Sequence, residues 1–145
     1  MVSSTIGNGH FMRDLLFASS TVARLSSEFS VAQALYIVDK VSRDYLVRPM
    51  GIFQLTDYVG VDVCSYILSV MDRFIPGRGL KSDLVDSLLS KNIKGGQFSD
   101  GSQKDGIFKY QKGAPVAVIN PENGEYLPLT EVAPACDSWL GALPQ

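Results

Sequence analysis

Residues 48–62 read RPMGIFQLTDYVGVD, and the rest of the chain is organised around this stretch. Pro49 holds its own φ near the helical value and pushes Arg48 towards extended geometry, while Gly51 permits a bend that a Cβ would resist. A reversal of chain direction is expected here. From Phe53 onward apolar residues fall at Leu55, Val59, Val63, Ile67, Val70 and Phe74, near a four-residue step that drifts around one helical face. The spacing predicts one long helix with that row buried, running to about Phe74 before Pro76-Gly77-Arg78-Gly79 breaks it. Gly60 inside such a helix is unfavourable by about 1 kcal/mol relative to alanine, which predicts a close approach by another helix or subunit.

Upstream, Phe11, Leu15, Ala18, Val22, Leu25 and Phe29 recur at steps of four and three and predict a first helix with a core face. Ser30 with Gln33 forms a capping-box signature, and Val31, Ala34, Leu35, Val38, Val41 and Tyr45 trace the inner face of a second. Asp39, Lys40, Arg43 and Asp44 are then assigned to its solvated face, with Asp39 and Arg43 as an ion pair one turn apart. Downstream, Ser82 is placed to cap a helix whose Leu84, Val85, Leu88 and Leu89 face the core, with Lys91 near its end and Gly95-Gly96 closing it. Periodicity fades in GGQFSDGSQKDGIFKYQKGAP, expected to be an irregular segment anchored by Phe98, Ile107, Phe108 and Tyr110. The tail offers VAVI at 116–119 and EYLPL at 125–129 around Asn123-Gly124, a hairpin that Pro128 restricts to an edge. Thr130 is expected to cap a last short helix carrying Val132 and Trp139. The fold class expected is all-α: a helical bundle over residues 1–110, with residues 111–145 as an extension packed on it.

The whole chain has 145 residues, of which 46% are hydrophobic, enough for the core of one domain. Its net charge of −2 comes from 13 basic and 15 acidic side chains scattered along the sequence, so nucleic acid is not an expected partner. No run of apolar residues is long enough to span a membrane, and the N-terminus lacks a basic stretch followed by an apolar one. A cytoplasmic protein is therefore expected. Cys64 and Cys136 have no zinc-like spacing and are read as buried or incidental thiols.

Few residues suggest chemistry by themselves. Gly7-Asn8-Gly9 before a helix resembles the start of a dinucleotide-binding loop, but Met12 stands at the third glycine position and no βαβ pattern follows. His10 is the single histidine and has no carboxylate placed by spacing to orient it, so it reads as a surface or packing residue. Asn8 suits a helix cap, or a hydrogen bond to a ligand carbonyl. Asp57 and Asp62 lie about 140° apart around an ideal helix and do not form a facing acid pair.

Pro49-Met50-Gly51-Ile52-Phe53, followed by Leu55, Asp57, Gly60 and Asp62, resembles the C-terminal domain of 3-hydroxyacyl-CoA dehydrogenases, a helical bundle shared with 6-phosphogluconate dehydrogenases. Lys104-Asp105-Gly106-Ile107-Phe108-Lys109-Tyr110 is similar to the glycine-rich segment that closes that domain, so the likeness covers about residues 6–110. Ile52 replaces the family's second proline, and the family's arginine-leucine pair after the asparagine is absent. The resemblance implies the substrate-cleft and dimerisation domain of an enzyme that oxidises 3-hydroxyacyl-CoA with NAD in fatty acid metabolism. It implies Asn8 near the reacting group and Met50 and Phe53 at the acyl cleft. It also implies a homodimer, an acyl-CoA substrate, and a partner nucleotide-binding half that carries NAD and the catalytic histidine. His10-Phe11 does not continue the motif of that histidine. This chain alone is expected to bind no NAD and to be inactive. The competing expectation is a noncatalytic interaction module that kept only the bundle; a third is a different dehydrogenase built on the same domain.

Overall fold

The computed structural model describes residues 4–44, 49–77 and 79–141, with side chains from residue 11 onward. Among the described residues the helices are α1 (Ser4–Leu25), α2 (Val31–Asp44), α3 (Ile52–Val59), α4 (Val61–Phe74), α5 (Asp83–Ser90) and α6 (Leu129–Gly141). The strands β1 (Phe108–Gln111), β2 (Ala114–Asn120) and β3 (Glu125–Pro128) form one antiparallel sheet in that order. The chain is thus mostly helical, and the all-α expectation gives way to a bundle with a small sheet near its C-terminus.

α2 is the centre of the packing. α1, α3, α6 and β2 all lie against it, and Ala32, Ala34, Leu35, Ile37, Val38, Asp39 and Ser42 are buried on it. A helix buried on most of its circumference belongs to a core rather than a surface. The capping box forms as expected: Ser30 N donates to Gln33 Oε1 at 2.9 Å and Gln33 N to Ser30 Oγ at 3.1 Å. Phe11, Leu15, Ala18 and Val22 of α1 are buried, and Phe29 meets Trp139 of α6 edge to face at 5.3 Å. Ser82 caps α5 by accepting from Val85 N. α5 ends at Ser90, ahead of the glycine pair expected to close it.

The expected long helix is two helices. Gly60 has φ +110 and separates α3 from α4; Val61 N leaves the helical ladder to donate to Lys94 O at 2.7 Å. A Cβ on Gly60 would meet no other helix, only Asp62 Oδ1 and Val63 of its own neighbourhood. The glycine answers a backbone angle that other residues rarely adopt, rather than a close approach. With the helix rotated there, the face of α4 that reaches the core is Val61, Cys64 and Leu68. Val63 and Phe74, expected in the buried row, are exposed.

The sheet begins one strand earlier than expected. Phe108–Gln111 pairs with β2 through a two-residue turn at Lys112-Gly113, both with positive φ (53° and 79°), the geometry that suits the twist of a tight hairpin. Within the segment expected to be irregular, Ile107 and Phe108 are buried, whereas Phe98 is 55% exposed. β2 and β3 make the expected hairpin, Ile119 opposite Tyr126, and Pro128 sits on the edge strand. α6 starts directly after β3, so Thr130 lies inside its first turn rather than at the cap.

Candidate functional site

The motif around Pro49 is built onto α2 by two of its buried polar side chains. The first N–H groups of a helix lack partners within it. In α3 the partners come from across the fold: Ile52 N donates to Ser42 Oγ at 2.8 Å, and Phe53 N and Gln54 N both donate to Asp39 Oδ1 at 2.9 Å. Leu55 N returns to Gly51 O. Asp39, assigned from sequence to the solvated face, is 3% exposed. Its carboxylate fills the space where a Cβ on Gly51 would lie, and Gly51 itself has φ −66, open to any residue. The motif glycine is there to admit a carboxylate, not to make a bend. Burial pushes the Asp39 carboxyl up to about 6, against the pull of the Gln54 and Phe53 N–H groups.

A second buried carboxylate closes the other end of α3. Asp57 accepts Ile107 N at 2.7 Å on Oδ1, and Phe108 N at 2.9 Å and the Tyr110 hydroxyl at 2.7 Å on Oδ2. Its main-chain oxygen accepts Gly96 N and Gln103 Nε2. A Cβ on Gly106 would overlap this carboxylate, and Gly95, at φ +64, lies against the Asp57 backbone. Burial drives Asp57 up to about 7, opposed by its three donors. Burial, and then the charge of Asp57, push the Tyr110 hydroxyl upward. A carboxyl titrating there is often a catalytic base, but Asp57 is fully buried and all its oxygens are taken by donors of the protein itself. It acts as a latch on the glycine-rich segment.

The groove itself has a volume of about 430 Å³ between α1, α2 and α6, lined by Phe17, Ala18, Leu25, Val38, Val41, Ile52 and Trp139. Asp14, Thr21 and Ser42 supply its few polar atoms. Its chemistry suits an apolar chain, and Ile52 brings the motif to its wall.

Met50 is half-buried just before α3, and Phe53 is fully buried in its first turn. Asn8 and His10 lie on the backbone of α1, and their side chains fall outside the described residues. Sequence reasoning missed Asp39, Ser42, Asp57 and Tyr110. Asp39 and Ser42 do fall at helical spacing from Leu35 on the apolar side of α2, and that was the available signal. Cys64 and Cys136 are buried, free thiols; burial pushes Cys64 up to about 12, away from the reactive thiolate. Among the described residues no group of three His, Cys, Asp or Glu is placed to hold a metal ion. The strands form an antiparallel meander with no glycine turn leading from a strand into a helix N-terminus, so the described residues do not fit NAD.

No curated protein and no solved structure matches the chain. Residues 22–118 match the family model of the 3-hydroxyacyl-CoA dehydrogenase C-terminal domain. That span runs from the last turn of α1 into β2 and leaves Asn8 outside it, where the resemblance had started near residue 6. It takes in Asp39 and the helix it caps, Asp57 and the segment it latches, and about half of the groove wall, with Phe17, Ala18 and Trp139 outside it. By that match the chain belongs to the 3-hydroxyacyl-CoA dehydrogenase C-terminal domain family.

Proposed function

We propose that the chain is the helical half of an NAD-dependent 3-hydroxyacyl-CoA dehydrogenase. In this reading it walls the acyl side of the cleft and joins a homodimer, while a nucleotide-binding half holds NAD and supplies the base. The observation that carries the reading is the apolar groove with Ile52, at the position of the motif's second proline, in its wall. A groove of this kind holds an acyl chain by excluding water from it. Met50 and Phe53 flank Ile52 without lining the groove themselves; in this reading they serve the acyl side of the cleft, and Asn8 orients the oxygen of the reacting group. In this reading the family's domain occupies about residues 1–110, although the family match itself runs over 22–118, and residues 111–145 complete the sheet and lay α6 along the groove.

The described residues supply binding and orientation but no positioned proton acceptor, and removing a hydride from a hydroxyl carbon requires one. The isolated chain is therefore inactive in this reading. Among the described residues no helix is long and apolar enough to cross a membrane, which is compatible with a cytoplasmic enzyme.

Trp139 is the single tryptophan and lines the groove, so its fluorescence tests the proposal. Titration with decanoyl-CoA should give a saturable change that Ala18→Arg abolishes, whereas NADH alone should give none. Supplied with the nucleotide-binding half of a family member, the chain should support oxidation of 3-hydroxybutyryl-CoA. A flat titration would remove the groove from the cleft, and no turnover with a competent partner half would remove the enzymatic reading.

A further inference from the structure

The apolar groove has a direction. α1 and α2 are joined by a short turn and pack side by side, so the last turn of α1 lies beside the start of α2, and Asp14 towards its far end. At that far end Asp14 and Ser42 supply polar atoms, and Ile52, whose N–H is bonded to Ser42 Oγ, brings in the motif. At the opposite end stand Leu25 and Trp139. The indole meets Phe29 edge to face at 5.3 Å, and Phe29 N donates to Leu25 O at 2.9 Å. Trp139 is half-buried, and its helix is pinned to α2 by Asp137, which accepts the Tyr36 hydroxyl at 2.9 Å and pairs with Lys40 at 3.2 Å. A groove with polar atoms at one end and a fixed indole at the other has a mouth and a stop.

We propose that Trp139 sets the length of acyl chain this groove accepts, by stopping the methyl end of a chain whose thioester lies at the Ile52 end. The dimensions give the limit. Asp14 and Leu25, both lining the groove from α1, are about 16 Å apart along an ideal helix axis. An extended hydrocarbon with C–C bonds of about 1.5 Å and near-tetrahedral angles advances about 1.25 Å per carbon. The span therefore takes about 13 carbons. Volume agrees with length: a methylene fills much the same space as a water molecule, about 30 Å³, and the groove measures about 430 Å³. The family match ends at residue 118, so the stop is supplied by a helix outside the matched span, and chain-length selection is a property this chain adds to the domain.

This assignment rests on the acyl reading of the groove proposed above, and the test separates the two. The chain is titrated calorimetrically with saturated acyl-CoAs from butanoyl to octadecanoyl, below their micelle-forming range. Wild-type affinity should rise with length by up to about fourfold per methylene, the factor equivalent to ~0.8 kcal/mol, and level off at about 12–14 carbons. Trp139→Ala should leave octanoyl-CoA binding unchanged, because that chain does not reach the indole, and should tighten hexadecanoyl-CoA about tenfold. Thr21→Trp, which puts an indole at mid-groove, should bring the plateau down to about eight carbons. Opposite shifts with short-chain binding retained are not what a folding defect produces. A wild-type series without a plateau, or a plateau that neither variant moves, would overturn the role of Trp139 and keep the acyl groove. Equal losses at every length in both variants would do the same. No binding at any length by the wild-type chain would overturn both.

Discussion

Tyr110 donates its hydroxyl to Asp57 Oδ2 at 2.7 Å across 53 residues of chain, and this bond ties the end of the family's glycine-rich segment to the helix that its proline motif starts. Two stretches that sequence presents as separate signatures are one structural unit. Asp57→Ala would leave the Ile107 and Phe108 N–H groups and the tyrosine hydroxyl buried without an acceptor. Unmet buried donors cost roughly 1–3 kcal/mol each and are not additive, so Asp57→Ala should lower unfolding free energy by about 3–5 kcal/mol. Tyr110→Phe removes one donor and leaves the other two bonds, and should cost about 1 kcal/mol. Urea unfolding of both variants checks the ratio; equal, small losses would refute the latch.

Gly51 and Asp39 should be energetically coupled. Alanine at position 51 has no backbone penalty at φ −66, so any loss must come from overlap with the Asp39 carboxylate. Overpacking of this kind typically costs about 1–3 kcal/mol. In an Asp39→Ser background the space is vacated, and Gly51→Ala should then be nearly neutral. A double-mutant cycle by chemical denaturation measures the difference, and additive losses would show that the glycine serves something else.

Proton binding to the two buried carboxyls gives stability a specific slope with pH. Asp39 is raised to about 6 and Asp57 to about 7, above the ordinary carboxylate value near 3.8 that an unfolded chain shows. Between those values the folded protein holds protons that the unfolded chain has released, so stability is fully present below about pH 4 and is lost as pH rises through 6 and 7. The slope cannot exceed about 1.4 kcal/mol per pH unit per group. Relative to the wild type, Asp57→Asn should flatten the decline between pH 4 and 7, and Asp39→Asn should flatten it between pH 4 and 6. Thermal melts across that range decide the matter; parallel curves for wild type and variants would remove these carboxyls from the linkage.

Legibility in the sequence followed the kind of signal each element carries. α1, α2 and α5 were readable because their apolar residues recur at helical steps, and the starts of α2 and α5 also carry Ser, with Gln in α2, at capping positions; Asn8, suited to a cap in sequence, lies inside α1. The break at Gly60 was not, because a glycine required by a left-handed angle and one required by a close neighbour look alike in sequence. Strand β1 escaped because it is four residues long and its turn, Lys112-Gly113, lacks the usual asparagine or aspartate. The site divided in the same way. Met50 and Phe53 could be picked out by resemblance, whereas Asp39 looked like a solvated charge and Asp57 like one half of a failed acid pair until the donors they serve, from 14 and 50 residues away, were in place.

The departure from the family motif at position 52 predicts a reciprocal effect at Ser42. Where the family has its second proline, this chain has Ile52, whose N–H is taken by Ser42 Oγ at 2.8 Å; a proline there would have no N–H to satisfy. The position is the first of α3, where proline's fixed φ is compatible with a helix. Ser42→Ala in the present chain should therefore cost about 1–3 kcal/mol, because it leaves the Ile52 N–H buried and unpaired. In an Ile52→Pro background the same change should cost only the bond Ser42 Oγ donates to Asp39 O at 2.8 Å, about 1 kcal/mol or less. Ile52→Pro alone also withdraws a β-branched side chain from the groove wall, so acyl-CoA affinity should fall while the fold persists. Denaturation of the four proteins in this cycle measures the coupling. An undiminished Ser42→Ala loss in the proline background would mean that the serine supports α2 and not the motif.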